Sequence, residues 1–180
     1  MIKLVAQFVF WIAGWKVEGK VPELKKFVVI AAPHTSGWDF PLGIVARLIL
    51  QIHFSFFAKQ ELFRPPFGFI FRALGGIPVN RSSSHGMVEQ AVEMFSANDQ
   101  FILALSPEGT REYVKKWRTG FYYIALHAKV PIVLAYLDFE HRIAGIGPTF
   151  YPTGDIDKDM EIIKDFYRPI KGKHPEKGVL

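Results

Sequence analysis

Residues 27–32 read FVVIAA, six apolar positions with no polar alternation, closed by Pro33. A strand with one wet face alternates. An unbroken run suits a strand covered on both faces, the habit of parallel sheets sandwiched between helices. The pattern recurs at residues 54–58 (FSFFA), 77–79 (IPV), 101–105 (FILAL) and 131–137 (PIVLAYL). Turn formers punctuate the runs: Gly75-Gly76, Asn98-Asp99 and Ser106-Pro107. Between them lie helical stretches. Residues 37–52 form an apolar segment with Ser36 offered as N-cap. Residues 84–97 place Met87, Val88, Ala91, Val92 and Phe95 on a helical period. Residues 121–129 and 155–167 read as two more helices, and residues 61–74 as a Phe-rich segment broken by Pro65-Pro66. Residues 171–180 are polar, contain Gly and Pro, and are expected to fray. The alternation predicts a single α/β domain over residues 1–180, with a mostly parallel central sheet flanked by helices. In such sheets ligands sit beyond the carboxyl ends of the strands, so the residues just after each run matter most.

Composition narrows the partner. The chain has no Cys, which excludes disulfide frameworks, thiolate metal sites and cysteine nucleophiles. It carries 22 Lys+Arg against 17 Asp+Glu, a net charge of +5, together with 17 Phe in 180 residues. A basic, oily chain suits a partner with an acidic part and an oily part, and lipid is the first to test. The charge is modest for nucleic acid and no recognition motif appears, so no nucleic-acid partner is expected. The N-terminal apolar stretch, residues 4–15, would span roughly 18 Å as a helix. A bilayer core needs about 30 Å, so the stretch is not a transmembrane span. Lys3 precedes it, but no A-x-A-like cleavage site comes after it, which argues against a signal peptide. Residues 1–20 are expected to form a membrane-associating segment, an interfacial helix with Trp11 and Trp15 at headgroup level. The plainer alternative is a core-packing helix or a short strand.

Three strand ends carry chemistry. After FVVIAA come His34, Thr35, Ser36, Gly37, Trp38 and Asp39. A spacing of five puts two side chains about 140° apart on a helix, so the pair meets only if His34 is in the loop and Asp39 in the first helical turn. An Asp accepting Nδ1–H fixes the imidazole tautomer, leaves Nε2 as a base and stabilises the imidazolium that forms. Equally, Asp at a helix start often only complements the helix dipole. After FILAL come Glu108, Gly109, Thr110 and Arg111, a tight turn offering a hydroxyl, amides and a planar guanidinium suited to phosphate or carboxylate. A solvated basic turn is the alternative, with Lys115, Lys116 and Arg118 just downstream. After residue 79 come Asn80 and Arg81. Together these ends suggest a base beside an anion site.

These residues resemble a known family, the glycerophosphate and lysophospholipid acyltransferases. His34-x4-Asp39 is similar to its catalytic motif. Residues 76–81 (GIPVNR) are similar to its second, G-x4-R motif, residues 107–111 (PEGTR) match its third without a gap, and residues 130–133 (VPIV) resemble its fourth. The order and spacing agree across residues 28–137. Pro33, Glu112 and Arg118 depart from the residues common in the family. The resemblance implies a glycerolipid-acyltransferase-like fold, with acyl transfer from a thioester, acyl-CoA or acyl-carrier protein, to the hydroxyl of a lipid acceptor. It implies His34 as general base and Asp39 as its partner. Arg81 and Arg111 would bind acceptor phosphate, with Glu108, Gly109 and Thr110 shaping the acceptor pocket. Direct transfer needs no acyl-enzyme, in keeping with a chain that has neither Cys nor a G-x-S-x-G elbow. Phe54, Phe56, Phe57, Phe63, Phe67, Phe69 and Phe71 would line an acyl tunnel or face a membrane. No bound cofactor and no metal are expected, and the other histidines read as surface or structural. The expected place is the cytoplasmic face of a membrane, peripherally held. The alternatives are a non-phosphate lipid acceptor, a metal-dependent hydrolase, and a catalytically silent module that binds anionic membranes.

Overall fold

The apolar runs become neighbouring strands of one sheet in a computed structural model that describes residues 1–66, 68–79 and 84–179. In chain order the elements are α1 (Ile2–Ile12), β1 (Lys16–Glu18), β2 (Lys26–Ala31), α2 (Asp39–Leu50), β3 (Ser55–Lys59), a 3-10 turn (Gln60–Phe63), α3 (Gly68–Ala73), β4 (Gly76–Val79), α4 (Ser84–Ala97), β5 (Phe101–Leu105), α5 (Gly120–Ala128), β6 (Ile132–Asp138), β7 (Ile143–Phe150) and α6 (Ile156–Tyr167). The strand order is β1-β7-β6-β2-β5-β3-β4. The five strands from β6 to β4 run parallel, while β7 is antiparallel to β6 and β1 runs with β7. This is the α/β architecture, with its mostly parallel sheet, that the run pattern predicts.

The two-residue period of β2 sends alternate side chains to opposite faces. Val28 and Ile30 join Leu103, Ile132 and Leu134 on one face, under Phe95, Tyr122, Ile124, Ile163 and Tyr167 from α4, α5 and α6. Phe27 and Val29 join Val133 on the other, packed with Leu50 and Ile52 at the end of α2. A third cluster of Phe10, Leu42, Val45, Ala46 and Ile49 ties α1 to α2. Burial on both faces is therefore what the missing alternation encodes.

Four expectations change. First, β1 and β7 have no counterpart in the run pattern. Second, α2 starts at Asp39 with Trp38 at the cap position, and Ser36 Oγ instead accepts from Trp38 N–H (3.2 Å) within the loop. Third, Trp15 does not share the outward face of α1. Gly14 at φ +71° turns the chain, and Trp15 folds back edge-on to Phe139 (5.0 Å between centroids) and beside Phe10. Trp11, by contrast, is 74% exposed, and Ile2, Leu4, Val5, Phe8, Val9 and Ile12 are exposed with it. Fourth, residues 171–179 do not fray. Phe139 N–H donates to Lys171 O (2.8 Å), His174 N–H to Thr35 Oγ1 (3.2 Å), and Lys177 pairs with Glu112 (2.8 Å). The Phe-rich segment divides: Phe57 and Phe63 are buried, Phe69 is exposed, and Phe67 lies outside the described residues. No described helix is long and apolar enough to cross a membrane.

α6 is locked to the sheet by polar groups. Asp159, 1% exposed, accepts from Tyr122 O–H (2.8 Å), Thr153 N–H (2.7 Å) and Thr153 O–H (2.9 Å). At the helix end, the Tyr167 hydroxyl lies 2.9 Å from Ile30 O near the end of β2 and 3.1 Å from Ala135 O in the middle of the adjacent β6.

Candidate active site

β2 and β5 are parallel neighbours, so the loops leaving their carboxyl ends lie side by side. The first is residues 32–38. Pro33 stops the strand, and Asp39 and Pro41 open α2, where a carboxylate suits the dipole and a missing N–H costs nothing. His34 in the loop and Asp39 in the first turn therefore meet, with Nδ1 and Oδ2 2.9 Å apart. The same Oδ2 accepts from Thr35 N–H and Ser36 N–H, each at 2.9 Å. Three donors converge on one buried oxygen, while Oδ1 is buried without a partner among the described residues. The Asp39 side chain is 7% exposed and that of His34 31%. Because Nδ1 faces the carboxylate, the network assigns a proton there, and Nε2 has no partner among the described residues. Asp39 thus stands at the start of α2 and against the His34 ring at once.

The second loop braces the first. Glu108, expected to shape an acceptor pocket, is buried beneath the His34 loop. Its Oε1 accepts from His34 N–H (3.1 Å) and its Oε2 from Ser106 O–H (2.8 Å). Burial raises its pKa, partly offset by these hydrogen bonds. Gly109 turns the chain at φ +66°, and a Cβ there would stand 2.8 Å from Arg118 Nε, so the Arg118 side chain occupies the space glycine leaves. Arg118 N–H also donates to Pro107 O (2.8 Å). Thr110 Oγ1 accepts from Glu112 N–H (3.3 Å). Arg111 is exposed and reaches back over the first loop: a Cβ at Gly37 would stand 3.0 Å from its Nη1. Arg81 lies outside the described residues, and β4, which precedes it, is three strands from β2. His34, Asp39, Glu108 and Arg111 thus converge at two adjacent strand ends.

Two features escape the spacing of motifs. One is the strap of residues 171–177, which bonds Thr35 inside the His34 loop. The other is a second His–Asp pair, where His141 Nδ1 lies 2.7 Å from Asp138 Oδ2 in the β6–β7 turn. The carboxylate holds the imidazolium of this exposed histidine above its ordinary pKa. Asp138 Oδ1 also accepts from the N–H groups of Glu140 and His141, so the pair serves the turn. Among the described residues no group of three or more His, Asp or Glu is arranged to hold a metal ion.

Glu108 gives a test of the brace. Glu108→Gln keeps an acceptor for His34 N–H and should be tolerated, whereas Glu108→Ala leaves two half-buried donors unpaired and should cost about 1–3 kcal/mol. Since folding raises the Glu108 pKa, the folded chain holds more protons than the unfolded one between the ordinary and raised values. Its contribution to stability therefore falls as pH rises through that window. Urea unfolding across a pH series should show this slope in the wild type and not in Glu108→Gln.

A family model described as Acyltransferase matches residues 15–137. No curated protein matches the chain. Among solved structures, the 1-acyl-sn-glycerophosphate (LPA) acyltransferase PlsC from Thermotoga maritima is similar, with a TM-score of 0.64 and 20% identity over 92% of this chain and 76% of that one. The likeness to PlsC is one of fold, and His34, Asp39, Glu108 and Arg111 all lie within the span of the family model.

Proposed function

Since the chain belongs to the acyltransferase family, we propose that it moves a fatty acyl group from an acyl thioester to the hydroxyl of a lysophospholipid or glycerophosphate acceptor. One observation carries the reading: His34 Nδ1 lies 2.9 Å from Asp39 Oδ2, in a loop whose Gly37 lies under the Arg111 guanidinium.

His34 Nε2 takes the acceptor hydroxyl proton as the oxygen attacks the thioester carbonyl. The C–O bond forms, the tetrahedral intermediate collapses, and the C–S bond breaks. The leaving thiolate takes the proton back from the imidazolium. Asp39 stays ionised throughout and stabilises the imidazolium, as carboxylates do in such dyads. Glu108 fixes the backbone that carries His34. Arg111 binds the acceptor phosphate as a planar fork, and Arg81 is assigned the same ligand. The donor is acyl-CoA or acyl-carrier protein, and no resident cofactor or metal enters these steps.

The outward face of α1, with Leu4, Phe8, Trp11 and Ile12 exposed, supports peripheral attachment to a bilayer that holds the acceptor. The cytoplasmic face is assigned as the side where acyl thioesters are made. An acceptor panel tests the reading, with lysophosphatidate and monoacylglycerol of equal chain length, each offered in anionic vesicles and in detergent micelles. Arg111→Ala should raise KM for the phosphorylated acceptor about tenfold or more, as expected for losing a charge-assisted bond. Equal KM in wild type and Arg111→Ala would overturn the phosphate assignment. Equal rates in vesicles and micelles would overturn the membrane assignment.

A further inference from the structure

We propose that Lys173, carried on the C-terminal strap, is a second cation of the acceptor-phosphate site. This rests on the acyltransferase reading above and adds a residue from outside the span the family model matches.

The strap is fixed on both sides of Lys173. Before it, Lys171 O accepts from Phe139 N–H (2.8 Å), and a Cβ at Gly172 would stand 2.5 Å from Thr35 Oγ1. Only glycine lets the strap lie that close to the His34 loop. After it, His174 N–H donates to Thr35 Oγ1 (3.2 Å). The backbone of Lys173 is thereby set against the loop that carries the base.

Its side chain is directed the same way. Lys173 Nζ lies 5.0 Å from the ring centroid of Trp38, an exposed side chain between Gly37 and Asp39. Arg111 lies over Gly37. Two cations on two strands of chain thus approach adjacent residues of one loop. Neither forms an ion pair among the described residues. Glu112, next to Arg111, is taken by Lys177 at 2.8 Å. Glu140 lines the same cleft of about 410 Å³ as Lys171 and Lys173, but no ion pair joins them. An aromatic face holds a lysine only weakly at an exposed site, so Lys173 can leave Trp38 for a stronger anion. The chemistry shared by Lys173 and Arg111 suits a phosphate ester. Both substrates of the proposed reaction can carry one, and the site beside His34 is assigned to the acceptor's.

The test measures kcat and KM for lysophosphatidate, for monoacylglycerol of the same chain, and for acyl-CoA. Lys173→Met keeps the aliphatic stem on Trp38 and removes the charge. It should raise KM for lysophosphatidate about tenfold and lower the ratio of its kcat/KM to that of monoacylglycerol by the same factor. Lys173→Arg should restore most of the ratio. If Lys173→Met leaves that KM unchanged while Arg111→Ala raises it, Lys173 is not in the site and the acceptor reading stands. A rise confined to the KM of acyl-CoA overturns the assignment in favour of the donor phosphates. An equal fall in kcat on both acceptors, with no change in the ratio, reduces the strap to a structural role. If wild type shows no preference for the phosphorylated acceptor, the acceptor reading falls and this proposal with it.

Discussion

His34→Ala is expected to reduce acyl transfer by about 10²–10⁴-fold, the range a positioned general base typically supplies. The fold should survive, because the His34 side chain is partly exposed and only its backbone N–H binds Glu108. Asp39→Asn separates orientation from charge. Its amide oxygen can take over the three bonds now made to Oδ2, so geometry persists while the imidazolium loses its counter-charge. Asp39→Ala removes the acceptor as well, and the loop loses its centre. The expected order of turnover is wild type, then Asp39→Asn, then Asp39→Ala and His34→Ala. Labelled acyl thioester with a lysophospholipid gives the rates, and circular dichroism checks the fold. Turnover by His34→Ala equal to wild type would remove the mechanism altogether. The silent membrane-binding alternative predicts that outcome trivially, since neither protein would turn over.

The largest stability effect is expected at Asp159→Ala. The substitution strips an acceptor from Tyr122 O–H, Thr153 N–H and Thr153 O–H. Unpaired buried donors cost about 1–3 kcal/mol each, and water entering the gap recovers part of the total. The net loss should be about 3 kcal/mol, which for a chain of this size lowers Tm by about 6–12 °C. Activity should fall in step with the folded fraction, because α6 ends in Tyr167 under the carbonyls of Ile30 and Ala135. A Tm within about 2 °C of wild type, the shift that 1 kcal/mol would produce, would show that packing alone seats α6. Asp159→Asn should lie between the two, since its oxygen can still serve Thr153.

The inner strands were legible because burial on both faces leaves a signature in residue type. At β2, β5 and β6 nothing competes with it. At β7 something does. The segment IAGIGPTF carries two glycines and a proline, which read as breakers. In the fold those glycines are packing residues: a Cβ at Gly145 would meet the Tyr136 ring at 2.0 Å, and one at Gly147 the Phe166 ring at 2.3 Å. Aromatic neighbours from β6 and α6 demand the small residue, and that demand is invisible along the chain. The His34–Asp39 pair was legible through its spacing, since only a loop-to-helix junction brings the two together. The placement of Glu108 was not, because a buried carboxylate bonded to a backbone amide leaves no mark in side-chain pattern. The strap escaped for the same reason, being anchored by main-chain groups of a polar segment with glycine and proline.

The two outermost strands have a consequence for solubility. Unpaired strand margins template aggregation unless they are short, charged or interrupted. Here one margin is β1, three residues long with Lys16 and Glu18 exposed, and the other is β4, four residues long and interrupted by Pro78, a residue sheets tolerate at their borders. Neither offers a long, flat ladder to an incoming chain. Short, charged or interrupted margins make a chain with 17 Phe a poor template for edge-to-edge polymerisation.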